Sequence, residues 1–157
     1  MPLRINRFQG ISMGTLLVGL QFGLLLLLAW LASARIAHGS VGAPAMAMAI
    51  ASLALAGWTF LHNRPGNFNI RPTPRAGGKL VTTGPYRHIR HPMYSAVLLA
   101  AAALALTSPP AAGAVAWAAL LLVLLRKAAL EERWMAERHP DYVSYRARTR
   151  RLVPGLF

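Results

Sequence analysis

Charge is missing from three long stretches of this chain. No Asp, Glu, Lys or Arg stands between Arg7 and Arg35, between Arg35 and Arg64, or between Arg90 and Arg126. A helix crosses a hydrocarbon core of about 30 Å with about 20 apolar residues. The apolar runs therefore predict four membrane-spanning helices, at residues 11–34, 44–61, 92–107 and 110–128. Gly, Ala and Ser recur in the first two, where helices can approach closely. "TSPP" breaks the third run from the fourth and predicts a helical hairpin. Ser108 is a candidate N-cap for the fourth helix, and Pro110 and Pro92 suit first helical turns, where a missing N–H costs little.

The hairpin helices are short. Residues 93–107 and 111–125 span roughly 22 Å each at a rise of about 1.5 Å per residue. Polar groups at their ends are therefore drawn close to lipid depth. The loop at 62–91 is rich in Pro, Gly and Asn, too long for an idle connection. Within it, "KLVTTGPY" predicts a short extended segment and a turn. After residue 129, "EERWMAERH" reads as helix, continuous with the fourth span. "PDYVSYRARTRRLV" reads as a basic interfacial helix. It would turn Tyr142, Tyr145 and Leu152 to the bilayer, and Arg146, Arg148, Arg150 and Arg151 to anionic headgroups. The whole is one all-α integral membrane domain over residues 1–157: two N-terminal spans in 1–61, a loop in 62–91, a hairpin in 92–128 and a C-terminal segment in 129–157.

Composition sharpens this picture. The chain is 55% hydrophobic yet carries a net charge of +13. Two Lys or Arg residues precede the first span, six lie between residues 64 and 90, eight lie from Arg126 onward, and Arg35 stands apart. The positive-inside rule then puts both termini and the central loop in the cytoplasm. The first apolar run is longer than a signal-peptide core, so it reads as a retained span. The basic balance is explained by topology, and nothing in the sequence calls for nucleic acid. No cysteine is present, which removes disulfides and thiolate chemistry.

Candidate chemistry gathers where apolar sequence meets charge. "GPYRHIRHPMYSA" opens the third span, and all four acids, Glu131, Glu132, Glu137 and Asp141, follow the fourth. Lys127 and Glu131 are spaced i, i+4 and share a helix face. The bland reading of that spacing is a surface ion pair. With so few acids in the chain, a carboxylate reaching the "RHIRH" cations is the sharper one, and it would draw the two hairpin helices together. His88 and His91 lack a clear third ligand, so no metal site is assigned. Tyr86 and Tyr94 bracket the cluster and read as site residues.

The runs "NFN", "KLVTTGPYRHIRHPMY" and "EERWMAERHPDYVSYR" together resemble the isoprenylcysteine carboxyl methyltransferase family, within a wider group that includes phospholipid N-methyltransferases. The resemblance covers the C-terminal half, residues 67–154. It implies a membrane methyltransferase that uses S-adenosylmethionine and takes a lipophilic acceptor from the bilayer. It implies cofactor contacts at Gly78, Lys79, Leu80, Val81, Tyr86, His91, Pro92, Met93, Tyr94 and Glu131. Arg90, or the helix start at Pro92, would suit the cofactor carboxylate. Lys127 falls where the isoprenylcysteine enzymes have a substrate-contacting arginine, with Arg126 beside it. The acceptor stays open among a prenylcysteine carboxylate, a phospholipid amine, a thiol or another lipid. Two rival readings are an NADPH-dependent sterol-reductase-like enzyme and a non-catalytic protein that binds anionic lipid or a partner.

Overall fold

The computed structural model describes residues 7–63 and 80–156. Five α-helices account for most of them: α1 (Arg7–Ala37), α2 (Ala43–His62), α3 (Pro92–Thr107), α4 (Pro110–Arg138) and α5 (Tyr142–Arg148). A single 3-10 turn, Gly84–Arg87, precedes α3. The expected extended segment before this turn carries no regular structure at residues 80–82. Among the described residues the β-content is one isolated parallel bridge, Ile89 to Arg150.

Proline starts the hairpin helices as expected: Pro92 and Pro110 are the first residues of α3 and α4, and Pro44 is the second residue of α2. The N-cap expected of Ser108 is corrected. Pro109 holds that position, and Ser108 instead closes α3, donating its hydroxyl to Leu104 O at 2.8 Å. Inside the tight hairpin the hydroxyl finds a carbonyl one turn back, as buried serines in helices often do. Gly113 makes the hairpin possible. A Cβ there would sit 2.5 Å from the carbonyl oxygen of Ala105, so the first turn of α4 approaches α3 too closely for any side chain.

α4 runs well past the apolar limit at residue 128. Nothing between Leu125 and Arg138 breaks a helix, and it stops before Pro140, whose ring disfavours helical backbone in the preceding residue. At about 1.5 Å per residue this helix is roughly 43 Å long, so its last turns project beyond a bilayer core. Those turns carry Glu131 and Glu132, with Lys127 one turn earlier.

α3 packs against α2, α4 and α1, and α1 packs on α4. The buried centre is Leu28, Leu98, Ala101, Ala116, Leu120, Leu124 and Leu152. Polar side chains stitch α3 to its neighbours: Ser52 Oγ donates to Ala96 O at 2.8 Å and Trp117 Nε1 to Leu98 O at 3.0 Å. The outer surface is apolar, with Leu26, Trp30, Leu53, Val115 and Leu122 exposed. Such a surface belongs in hydrocarbon, and three helices are long and apolar enough to cross it. The chain is a membrane protein.

The C-terminal segment departs from expectation. Tyr142, Tyr145 and Leu152 do not face outward; all three are buried. The helix is only seven residues long. Beyond it the backbone doubles back onto the loop before α3, and this pairing turns the apolar side chains inward.

Candidate active site

Three elements converge at the start of α3: the loop 80–91, the last turns of α4 and the C-terminal segment. The 3-10 turn is set against the end of α2. Gly84 has φ of +58°, and a Cβ on it would lie 2.3 Å from the His62 ring, so glycine is needed on both counts. Asn63, just past α2, donates its amide to the Tyr86 hydroxyl at 3.0 Å. Tyr145 donates its hydroxyl to the Tyr86 carbonyl at 2.8 Å. Burial pushes the Tyr86 phenol up to about 12, with the Glu131 charge adding to the effect and the Asn63 hydrogen bond opposing it. It stays protonated at any physiological pH.

His91 caps α3 and faces two carboxylates. Its Nδ1 lies 3.3 Å from Glu131 Oε2, and its Nε2 lies 3.2 Å from Glu132 Oε1. The ring stacks on Tyr94, centroids 5.3 Å apart and planes within 6°. Tyr94 in turn donates its hydroxyl to Glu131 Oε1 at 2.5 Å. Burial disfavours the charged imidazolium, but the hydrogen bonds and charges of Glu131 and Glu132 outweigh it, and the His91 pKa is raised above the ordinary histidine value.

The two adjacent glutamates are in different surroundings. Glu131 is 22% exposed and bonds to Tyr94 and His91. Glu132 is 3% exposed and collects cations. Arg90 Nε reaches its Oε1 at 2.9 Å, and Arg151 reaches both oxygens, at 3.1 and 3.2 Å. Arg146 lies 3.8 Å away. Arg90 also donates through Nη1 to the carbonyls of Thr149 and Arg146. Its guanidinium is thus turned toward the C-terminal segment.

Lys127 is 1% exposed. Its ammonium donates to Gln21 Oε1 of α1 at 2.6 Å and lies 5.1 Å from the centroid of the Tyr94 ring. Arg126 is exposed. The expected substrate pair is therefore split, as consecutive helical residues must be. Leu80 and Val81 are half-buried at the edge of the loop, Pro92 is buried, and Met93 is half-buried in the first turn of α3. Gly78 and Lys79, and the "NFN" run at 67–69, lie outside the described residues.

Glu132 was expected only as half of an acidic pair, and Arg151 was expected to face anionic headgroups; instead Arg151 turns inward to bond Glu132. Asn63 and Gln21 were not singled out. Glu132 did carry a signal. Leu120, Leu124, Ala128 and Glu132 recur every fourth residue, and the first three are fully buried, so the fourth lies on the inward stripe. Arg151 and Gln21 come to the site only through tertiary packing.

The family model of phospholipid methyltransferases matches this chain over residues 41–142. A comparison with curated proteins returns no match. The matched region is more than half of the chain and runs from just before α2 to the first residue of α5. It contains Tyr86, His91, Tyr94, Lys127, Glu131 and Glu132, and it includes the wider group suggested by the sequence motifs. With its apolar helices and this match, the chain belongs to the phospholipid methyltransferase family of membrane methyltransferases.

Proposed function

We propose that the chain transfers a methyl group from S-adenosylmethionine to a lipophilic acceptor that reaches the site from the bilayer. The observation that carries this reading is the Glu131–His91–Tyr94 cluster at the border between apolar helix and charge. The donor set fits the cofactor. A partly exposed carboxylate can accept from ribose hydroxyls or an ammonium, and aromatic rings can pack on adenine or a sulfonium.

S-adenosylmethionine, when bound, supplies an electrophilic methyl group on sulfur. The protein's own part is positional. Glu131 accepts the hydrogen bonds of the cofactor, with Tyr94 and His91 fixing its carboxylate from behind. Tyr86, Leu80, Val81, Pro92 and Met93 form the adjoining walls, and Arg90 steadies the wall that carries His91. Lys127, buried between Gln21 and Tyr94, supplies an interior cation one helical turn before Glu131, suited to an anionic group of the acceptor. An in-line displacement needs alignment and exclusion of water more than it needs a strong base. A carboxylate or thiolate acceptor needs no base; an amine must first lose its proton. In this reading α3 also spans the membrane, bringing the total to four, the hairpin opens toward the cytoplasm, and both termini lie there.

Calorimetric titration in detergent tests the assignment. S-adenosylhomocysteine should bind and NADPH should not. Glu131→Gln should weaken S-adenosylhomocysteine about tenfold or more, the cost of a charge-assisted hydrogen bond. Unchanged affinity would remove Glu131 from the site.

A further inference from the structure

The C-terminal segment makes a set of bonds that the proposed reaction does not use. Residues 142–152 lie almost wholly outside the matched family region, which ends at residue 142. Yet this segment is fastened to the loop before α3 along its length. The Arg90 amide donates to Arg150 O at 2.8 Å, the Arg150 amide to His88 O at 3.0 Å, and the His91 amide to Arg151 O at 3.1 Å. Ser95 donates its hydroxyl to Leu152 O at 2.6 Å. Tyr145 holds the Tyr86 carbonyl, and Leu152 is buried in the helical core.

The charge anchor of this arrangement is Glu132. One buried carboxylate faces Arg90 and His91 from the loop, and Arg151 and Arg146 from the C-terminal segment. Such a group is satisfied only while cations on both sides are in place, since a buried charge left without them is expensive. Glu131, one residue earlier, faces the partly open side. Adjacent helical positions point about 100° apart, so one pair of acids serves two different directions.

We infer that the C-terminal segment is a strap docked through Glu132, and that Glu132, Arg151 and Ser95 are positioning residues. They hold His91 and Tyr94 against Glu131 and touch neither cofactor nor acceptor. The inference rests on the proposed function for what is positioned, but the docking stands on the bonds themselves. A sequence motif with two consecutive acids thus divides its labour: the first for the ligand, the second for the strap.

Arg151→Met in the full-length protein tests this, because it removes a guanidinium at the edge of the cluster while keeping the alkyl stem. Two readouts are needed: amide hydrogen exchange, and titration with S-adenosylhomocysteine. Exchange at the Arg90, His91 and Arg150 amides should rise about tenfold, while the amides of α1, α2 and the membrane part of α4 keep their protection. Affinity for S-adenosylhomocysteine should fall about tenfold as well, and Arg151→Lys should recover part of both losses. Glu131→Gln should show the reverse pattern, weak binding with an undisturbed strap. Unchanged exchange at the three amides in Arg151→Met would overturn the docking. Raised exchange with unchanged affinity would overturn the positioning role and leave the strap a stability element only. If the unmodified protein does not bind S-adenosylhomocysteine, the proposed function fails and the positioning role fails with it, while exchange still decides the docking.

Discussion

His91 sits between two carboxylates and a tyrosine, and its protonation state follows from those neighbours. Glu131 and Glu132 face it from α4, Tyr94 stacks on it from α3, and Arg90 and Arg151 approach through Glu132. Its raised pKa carries a sign. The ion pairs contribute fully below the ordinary histidine value of about 6.5, and the contribution disappears as pH rises through the higher folded-state value. Thermal stability in detergent should therefore decline from mildly acidic pH toward and past neutrality. His91→Gln should be less stable at the acidic end and should flatten that slope. A variant with the slope of the unmodified protein would show that another group is responsible. Lys127 drew notice through the family resemblance and through its helix face shared with Glu131. Its bond to Gln21, 106 residues earlier, was not legible, because no local pattern says which residue of α1 meets α4.

Among the elements, the helices were the most legible part. Apolar runs marked their existence, and the prolines at 92 and 110 marked where two of them start. Ser108 and the C-terminal segment were misread for related reasons. A hydroxyl beside two prolines can serve either the helix behind it or the one ahead, and the hairpin decides. Tyr142, Tyr145 and Leu152 have an interfacial pattern that also fits burial, once the backbone pairs with residues 88–91. The hairpin itself is held by close approach at Gly113. Alanine is favoured over glycine inside a helix by about 1 kcal/mol. Against that, a methyl group at Gly113 meets backbone atoms of Ala105 at 2.5 and 3.1 Å, which cannot rotate away. Overpacking of this kind costs about 1–3 kcal/mol. Gly113→Ala should therefore lower the melting temperature, and an unchanged or raised value would mean that the helices separate without cost. The same change at Gly23, with open space around its Cβ position, is a suitable control.

At the scale of the molecule, an apolar outer surface and a basic interior edge place all the described chemistry at one end of the helices. The candidate site is assembled from the α3 start, the α4 extension and the strap, so it depends on the whole bundle and not on a separate soluble domain. Much of its composition was visible as a motif, since the tyrosines, His91 and Glu131 stand in two short runs. The role of Glu132 was not, because a row of residues does not say which neighbour of a pair turns inward. The most direct measurement is methyl transfer in a bilayer. The purified protein in phospholipid vesicles, given S-adenosylmethionine labelled on its methyl group, should move label into the organic-extractable lipid fraction. Glu131→Gln should reduce that transfer by at least about tenfold. If vesicles with the unmodified protein incorporate no more label than vesicles with heat-inactivated protein, across phospholipid, prenylcysteine and thiol acceptors, the account is contradicted.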